Sequence, residues 1–257
     1  MLRSLYTGWT GMYTEQKRLD VISNNMANAT TVGYKKEGVT SQCFDDVMTV
    51  KIRDGSENWM QREIGQMSLG VKVGEVYTDY NQGTLVETDN DFDLAIEGDG
   101  FFVVNVTDLN GETHERVTRA GSFHMTYDGY IVDVDGNHLQ SEAGDFQVST
   151  DAQQIVISID GSVYEDGVLT DRLILKDYED YDYLKKYGDT YYQAVDGATE
   201  KTASANIRQG YTEQSNVNVV DEMVSLIAIT RAYEAGQKVI KSVDSVLEQA
   251  VTSVGKV

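Results

Sequence analysis

Hydrophobic periodicity constrains this chain most. At both ends, apolar residues recur at alternating steps of three and four, and between the ends the period falls to two. From the start the series reads Leu2, Leu5, Trp9, Met12, Gln16, Leu19, Ser23, Met26, with Ile22 widening it. That spacing marks one face of a helix, and an uninterrupted run of it is a heptad-like seam. The other end repeats the pattern at greater length: Val219, Met223, Leu226, Thr230, Tyr233, Gln237, Ile240, Asp244, Leu247, Val251. Asn218 is placed to cap this second helix, and Asp221 and Glu222 fall in its first turn, where the helix dipole favours acids. Beside its seam runs a second stripe, Val220, Val224 and Ile227, continued by Val239, Val243, Val246 and Ala250. Two stripes on one helix predict burial against more than one neighbour.

The middle is built differently. Short β-rich runs, "FFVVNV" (101–106), "YIVDV" (130–134), "IVISI" (155–159) and "RLILK" (172–176), are separated by Asn110-Gly111, Asp128-Gly129, Asp135-Gly136, Asp160-Gly161 and Asp166-Gly167. Such dipeptides favour tight hairpins. With no proline in the chain, glycine and Asx-Gly pairs make the turns. The expected fold class is therefore α+β: long N- and C-terminal helices packing as a coiled-coil-like bundle, a central antiparallel mainly-β domain, and an extended connector. The boundaries expected are 1–40 for the N-terminal helix and turn, 41–80 for the connector, 81–205 for the β-rich domain and 206–257 for the C-terminal helix.

Charge excludes some partners. The net charge is -21, and a chain this acidic repels the phosphates of nucleic acids and anionic lipids. Acid is concentrated in the β part: residues 151–200 carry 12 acids and 4 bases, against 3 acids and 5 bases in residues 1–40. No run approaches the roughly 20 apolar residues of a membrane span. Met1-Leu2-Arg3 leads into mixed residues rather than an apolar signal core, so composition alone predicts a cytoplasmic protein.

Templates for chemistry fail one by one. Gly98-Asp99-Gly100 begins a dinucleotide loop, but its third glycine would fall on Val103. "DNDFD" (89–93) begins like a calcium loop, yet its sixth position is Leu94 and its twelfth Gly100. His114-Glu115 lacks the second histidine of a zinc-protease helix, and there is no nucleophile elbow. Cys43 is the single cysteine, with no local partner. Asp133 and Asp135 share a strand face, as acid–base pairs do, but hairpin ends carry such carboxylates for solvation alone. The tyrosine-rich "YEDYDYLKKYGDTYY" (178–192) suits either a sugar or peptide site or a half-exposed sheet. No catalytic residue, cofactor or metal is expected. A cytoplasmic coiled-coil adaptor and a β-domain enzyme or sugar binder are the readings left from other classes.

The first helix breaks in an unusual way. "SLYTGWTGMYTEQKRLDVISNNMANATTVGYKKE" (4–37) places Asn24, Asn25 and Asn28 in its last turns, although asparagine is a mediocre helix former. Ser23 through Lys35 meets the pattern S-N-N-x-A-N-x-x-T-x-G-[YF]-K, and the stretch resembles the N-terminal signature of the flagellar rod and hook proteins. "SNVNVVDEMVSLIAITRAYEAGQKVI" (215–240) resembles that family's C-terminal helix. "DFDLAIEGDGFFVV" (91–104) and "TRAGSFHMTYDGYIVDVDGNHLQ" (118–140) resemble its β domain, and "IVISIDGSV" (155–163) more loosely. The family often carries proline where Val32 and Phe92 stand here.

The resemblance implies a structural, non-enzymatic subunit of the flagellar basal body. Its terminal helices would form an inner tube with neighbouring copies while the β domain faces outward, and the tube would transmit torque and conduct exported subunits. Its partners would be itself, other rod and hook proteins and the flagellar type III export apparatus, with no nucleic acid and no membrane insertion. Export through that apparatus uses no cleaved signal, which replaces the cytoplasmic expectation. The length and the "DLAIEGDGFFVV" form favour the distal rod type, with the proximal type second. The expected subunit interface is Leu2, Leu5, Trp9, Met12, Leu19, Asn24, Asn25, Asn28, Val219, Met223, Leu226, Tyr233, Ile240 and Leu247. Asn24 and Asn28, four apart on one face, are expected to fix register between copies.

Overall fold

The structure, a computed structural model, describes residues 2–50, 63–107 and 111–255. The chain divides into two compact units. One comprises Met1–Met26, Glu37–Thr78 and Asn218–Val257, and the other Ala27–Lys36 and Asp79–Val217.

The first unit holds two long helices, α1 (Leu2–Ala27) and α2 (Val219–Val254). The Asn218 side chain accepts a hydrogen bond from the Val220 N–H at 3.1 Å, capping α2 as its position suggested. Between the helices in sequence lie β1 (Glu37–Cys43), β2 (Val47–Val50), β3 (Glu63–Met67) and β4 (Val71–Thr78). β1 pairs antiparallel with β4, from Glu37 opposite Thr78 to Cys43 opposite Val71, and β2 pairs with β3. The stretch 41–80, expected as an extended connector, thus folds back on itself. The ladder is bulged between Val39 and Ser41, and there the Thr40 hydroxyl accepts from the Glu75 N–H at 2.8 Å.

The α+β expectation stands, but the coiled-coil-like bundle does not. Large side chains do not interlock along the predicted seam. Trp9 is 55% exposed, and Val219 and Met223 also face solvent. The helices instead approach through glycines: a Cβ on Gly8 would lie 3.3 Å from Ile240, and one on Gly236 would lie 2.6 Å from Met12 Cγ. The side chains that α1 buries most deeply are polar, namely Thr10, Thr14 and Asn25. Thr14 donates to the Val71 carbonyl at 3.4 Å, and Thr10 sits where any side chain at Gly70 would fall. Small polar residues let α1 lie close on the β1–β4 ladder. That closeness rotates Trp9 out of the interior.

The second unit is the antiparallel β domain. β5 (Leu85–Glu87), β6 (Leu94–Asp99), β7 (Phe101–Thr107) and β8 (Thr113–Thr118) open it. β7 is its axis, flanked by β8 and by the strand His138–Ser141. Side chains on a strand alternate between faces. Phe102 and Val104 accordingly pack with Leu94, Ile96, Phe123 and Leu139, while Phe101 and Val103 pack with Val117, Tyr178, Leu184 and Tyr192. A strand buried on both sides reads as an unbroken apolar run, as "FFVV" does. Gly129, Gly136, Gly161 and Gly167 all take positive φ at the Asp-Gly turns. Asn110 lies outside the described residues.

Candidate assembly site

The asparagine-rich end of α1 has two jobs, one in each unit. In the first unit Asn25 is the buried member, 1% exposed. Its Nδ2 donates to the Glu37 carbonyl at 2.8 Å, and its Oδ1 accepts from the Glu37 N–H at 3.0 Å. One amide thereby satisfies both backbone groups at the start of β1. Asn24 is exposed and Asn28 half-buried; Asn28 Oδ1 accepts from the Thr31 hydroxyl at 3.1 Å within the turn. Asn25→Ala strands two buried backbone groups and is expected to cost about 1–3 kcal/mol, read from the urea midpoint at unchanged slope.

In the second unit the motif ends in an anchor. Gly33 has φ +70, and a Cβ there would collide with the Ala120 backbone. Its N–H donates to the Glu213 carbonyl at 2.7 Å. Tyr34 is fully buried, with the Lys186 ammonium 4.3 Å from its ring centroid. Lys35 is buried too, and donates to Glu213 Oε1 at 2.5 Å and to the Asn81 carbonyl at 2.9 Å. Arg119 reaches the other carboxylate oxygen at 3.4 Å and the Gly98 carbonyl at 2.9 Å. The Gly83 N–H completes the set at 2.7 Å from Glu213 Oε1. Burial holds the Lys35 ammonium below its ordinary lysine value, against the opposing attraction of Glu213. One carboxylate thus serves two buried cations and a backbone amide. Asn216 adds a second tie. Its Oδ1 accepts from the Lys36 N–H at 2.7 Å and its Nδ2 donates to the Asp79 carbonyl at 2.8 Å. Arg119, Glu213 and Asn216 went unpredicted, because nothing local in the sequence pairs residues 178 positions apart, as Lys35 and Glu213 are.

The helix surfaces hold the remaining predicted residues. The Leu2 side chain lies outside the described residues. Leu5, Met12 and Leu19 are half-buried on α1, as are Leu226, Tyr233, Ile240 and Leu247 on α2. Trp9 stacks on Tyr13 with ring centroids 5.8 Å apart, and with Tyr6 they form an exposed aromatic ridge. The second stripe of α2 is bare at its start: Val220 is 68%, Val224 63% and Ile227 52% exposed.

The chemical templates resolve into structure. Gly98 and Gly100, both at positive φ, turn β6 into β7. Asp93 of the calcium-like run accepts from Asn90 at 3.0 Å. Cys43 is exposed. Asp133 and Asp135 converge on the Tyr191 hydroxyl, at 2.6 and 2.7 Å. Burial, then those two carboxylates, push the Tyr191 phenol far above its usual value. The folded state therefore holds this proton more tightly than the unfolded chain. The stability so contributed is full below about pH 10 and is lost as pH rises past it. The advantage of the wild type over Tyr191→Phe is expected to shrink above about pH 10 in a denaturation series.

Three family descriptions match the chain: a flagella basal body rod protein segment over residues 5–35, a flagellar hook protein FlgE/F/G D1 domain over 95–165, and a flagellar basal body rod FlgEFG C-terminal segment over 208–253. The flagellar basal-body rod protein FlgG of Bacillus subtilis (strain 168) is 34% identical over 270 residues, covering 98% of each chain. The chain belongs to the flagellar basal-body rod proteins. Other relatives of this rod protein include FlgG of Caulobacter vibrioides, 34% identical over 96% of this chain and 97% of its own. FlgF of the same organism is 32% identical over the full length of both chains. Family membership makes the rod protein a structural, non-enzymatic component of the flagellar basal body that serves motility. Rod proteins of the basal body assemble with other rod and hook proteins. Among the described residues, no helix is long and apolar enough to cross a membrane.

Proposed function

We propose that this rod protein is the distal rod subunit, built into a helical tube of identical copies through α1 and α2. The observation that carries the self-assembly reading is the bare apolar surface on both terminal helices: Tyr6, Trp9 and Tyr13 on one, Val220, Val224 and Ile227 on the other. Surface of this kind, continuous along a helix, marks an interaction site in a soluble chain. In this reading residues 1–40 and 206–257 are the tube-forming elements, 41–80 links them to the β-rich part, and 81–205 is the outer domain. Val219, Met223 and the seam residues of both helices then meet other copies, with Asn24 and Asn28 at the contact. The acidic β part keeps the outer surface solvated. The chain reaches its place through the flagellar type III export apparatus, and its single cysteine leaves no intrachain disulfide to undo.

Relatives named FlgG from Bacillus subtilis, Agrobacterium fabrum and Caulobacter vibrioides support the distal position. The FlgF relative, matched from end to end, favours a proximal position as the second reading. Immunogold labelling of purified hook–basal bodies separates them: gold beside the hook supports the distal subunit, gold near the inner membrane ring supports the proximal one, and unlabelled rods refute both.

A further inference from the structure

The first unit contains a groove of about 810 Å³ between the two helices, and one of its residues has no explanation inside the chain. Gly8, Gly11, Met12 and Gly236 line it. Gly8 and Gly236 are accounted for, because side chains there would press on Ile240 and Met12. Gly11 is not: among the described residues, a Cβ at Gly11 meets nothing within 4 Å. A glycine in mid-helix destabilises the helix relative to alanine. The chain bears that penalty to keep a space that its described atoms leave open.

The same helix carries what fits the space. Tyr6, Trp9 and Tyr13 stand exposed, with Trp9 and Tyr13 already stacked. At 100° per residue this ridge lies about 160° around α1 from the groove residues, on the opposite face. The chemistry is complementary as well. The ridge offers an indole N–H and two phenol hydroxyls, and the mainly apolar groove counts Ser4, Thr7 and the Glu15 carboxylate, which also holds Arg18, among its lining. A ridge and a groove on opposite faces cannot meet by a two-fold exchange. They join copies head to tail, which generates an open-ended array when the rotation does not close.

We propose that the Tyr6–Trp9–Tyr13 ridge of one copy seats in the Gly11 groove of the next. This rests on the self-assembly reading and adds which faces meet and in what sense. The test uses chains carrying Cys43→Ser, so that engineered thiols stand alone. Trp9→Cys and Gly11→Cys chains, with tags of different size, are expressed together, and isolated basal bodies are oxidised. The mixed disulfide dimer is expected at ten or more times the yield of either homodimer. Basal bodies that contain both chains without the mixed dimer, or with Trp9→Cys homodimers in its place, overturn the ridge-in-groove contact and leave self-assembly standing. Absence of the wild-type chain from basal bodies overturns both. Gly11→Met supplies an independent measure. Its Cβ meets no described atom within 4 Å and the rest of the side chain occupies the groove, so the purified protein is expected to melt no lower than wild type while its incorporation falls at least tenfold. Wild-type incorporation of Gly11→Met overturns the proposal.

Discussion

Glu213→Gln is expected to destabilise the β unit by about 3–5 kcal/mol, because it leaves two buried cations without their shared carboxylate. Lys35 and Arg119 are each almost wholly inaccessible, so neither ammonium nor guanidinium recovers the loss by turning to water. Glutamine keeps an oxygen for the Gly83 N–H or for one cation, but removes the charge that offsets both. A domain is commonly stable by about 5–15 kcal/mol, so this one change consumes a large share. The measurement is the urea midpoint of the purified chain. Lys35→Met in the Glu213→Gln background is expected to recover part of the loss, since it removes one uncompensated charge and keeps the volume. A Glu213→Gln midpoint within experimental error of wild type would show that the cluster is not the anchor described above.

Gly33→Ala ranks second. The residue needs φ +70, which alone costs a side-chain-bearing residue about 1–3 kcal/mol. The added methyl group also lands on the backbone at Ala120, so the segment after β8 must shift before the Gly33 N–H can keep its bond to Glu213. The expected total is upward of about 2 kcal/mol, with the 33–36 segment losing amide-exchange protection before the rest of the unit. Gly111→Ala is the control: it too has positive φ, but no neighbour within 4 Å among the described residues. If the two variants lose the same stability, the close approach at Ala120 contributes nothing.

How much of this was legible beforehand follows from what kind of interaction is involved. Both helices, the Asn218 cap and the Asp-Gly turns depend on residues within a few positions of each other, and local spacing announces them. The two-sided burial of β7 lies in its four consecutive apolar residues, which leave no polar face, but a period-two reading of the middle passes over it. The rotation of α1 was not. Counting apolar residues places Trp9 inside, yet closeness to β4 is set by Thr10, Thr14 and Gly70, and size there outweighs hydrophobicity. The asparagine signature drew attention to the right turn but not to what Asn25 does inside the chain. Asn24 and Asn28 share a face, whereas the Asn25 amide holds both backbone groups of Glu37. The Lys35–Glu213–Arg119 cluster was beyond reach, because charged residues in a sequence look like solvated ones until topology brings them together.

That cluster also sets an order of events for a chain that emerges from a ribosome or a conduit one end first. Gly33 and Lys35 complete their bonds only at Glu213, so the first part of the β unit to appear waits for nearly the last. Until then the Lys35 ammonium and the Arg119 guanidinium lack the carboxylate they share. A chain made from its N-terminus therefore completes this anchor only after Glu213 has appeared, with α2 still to follow.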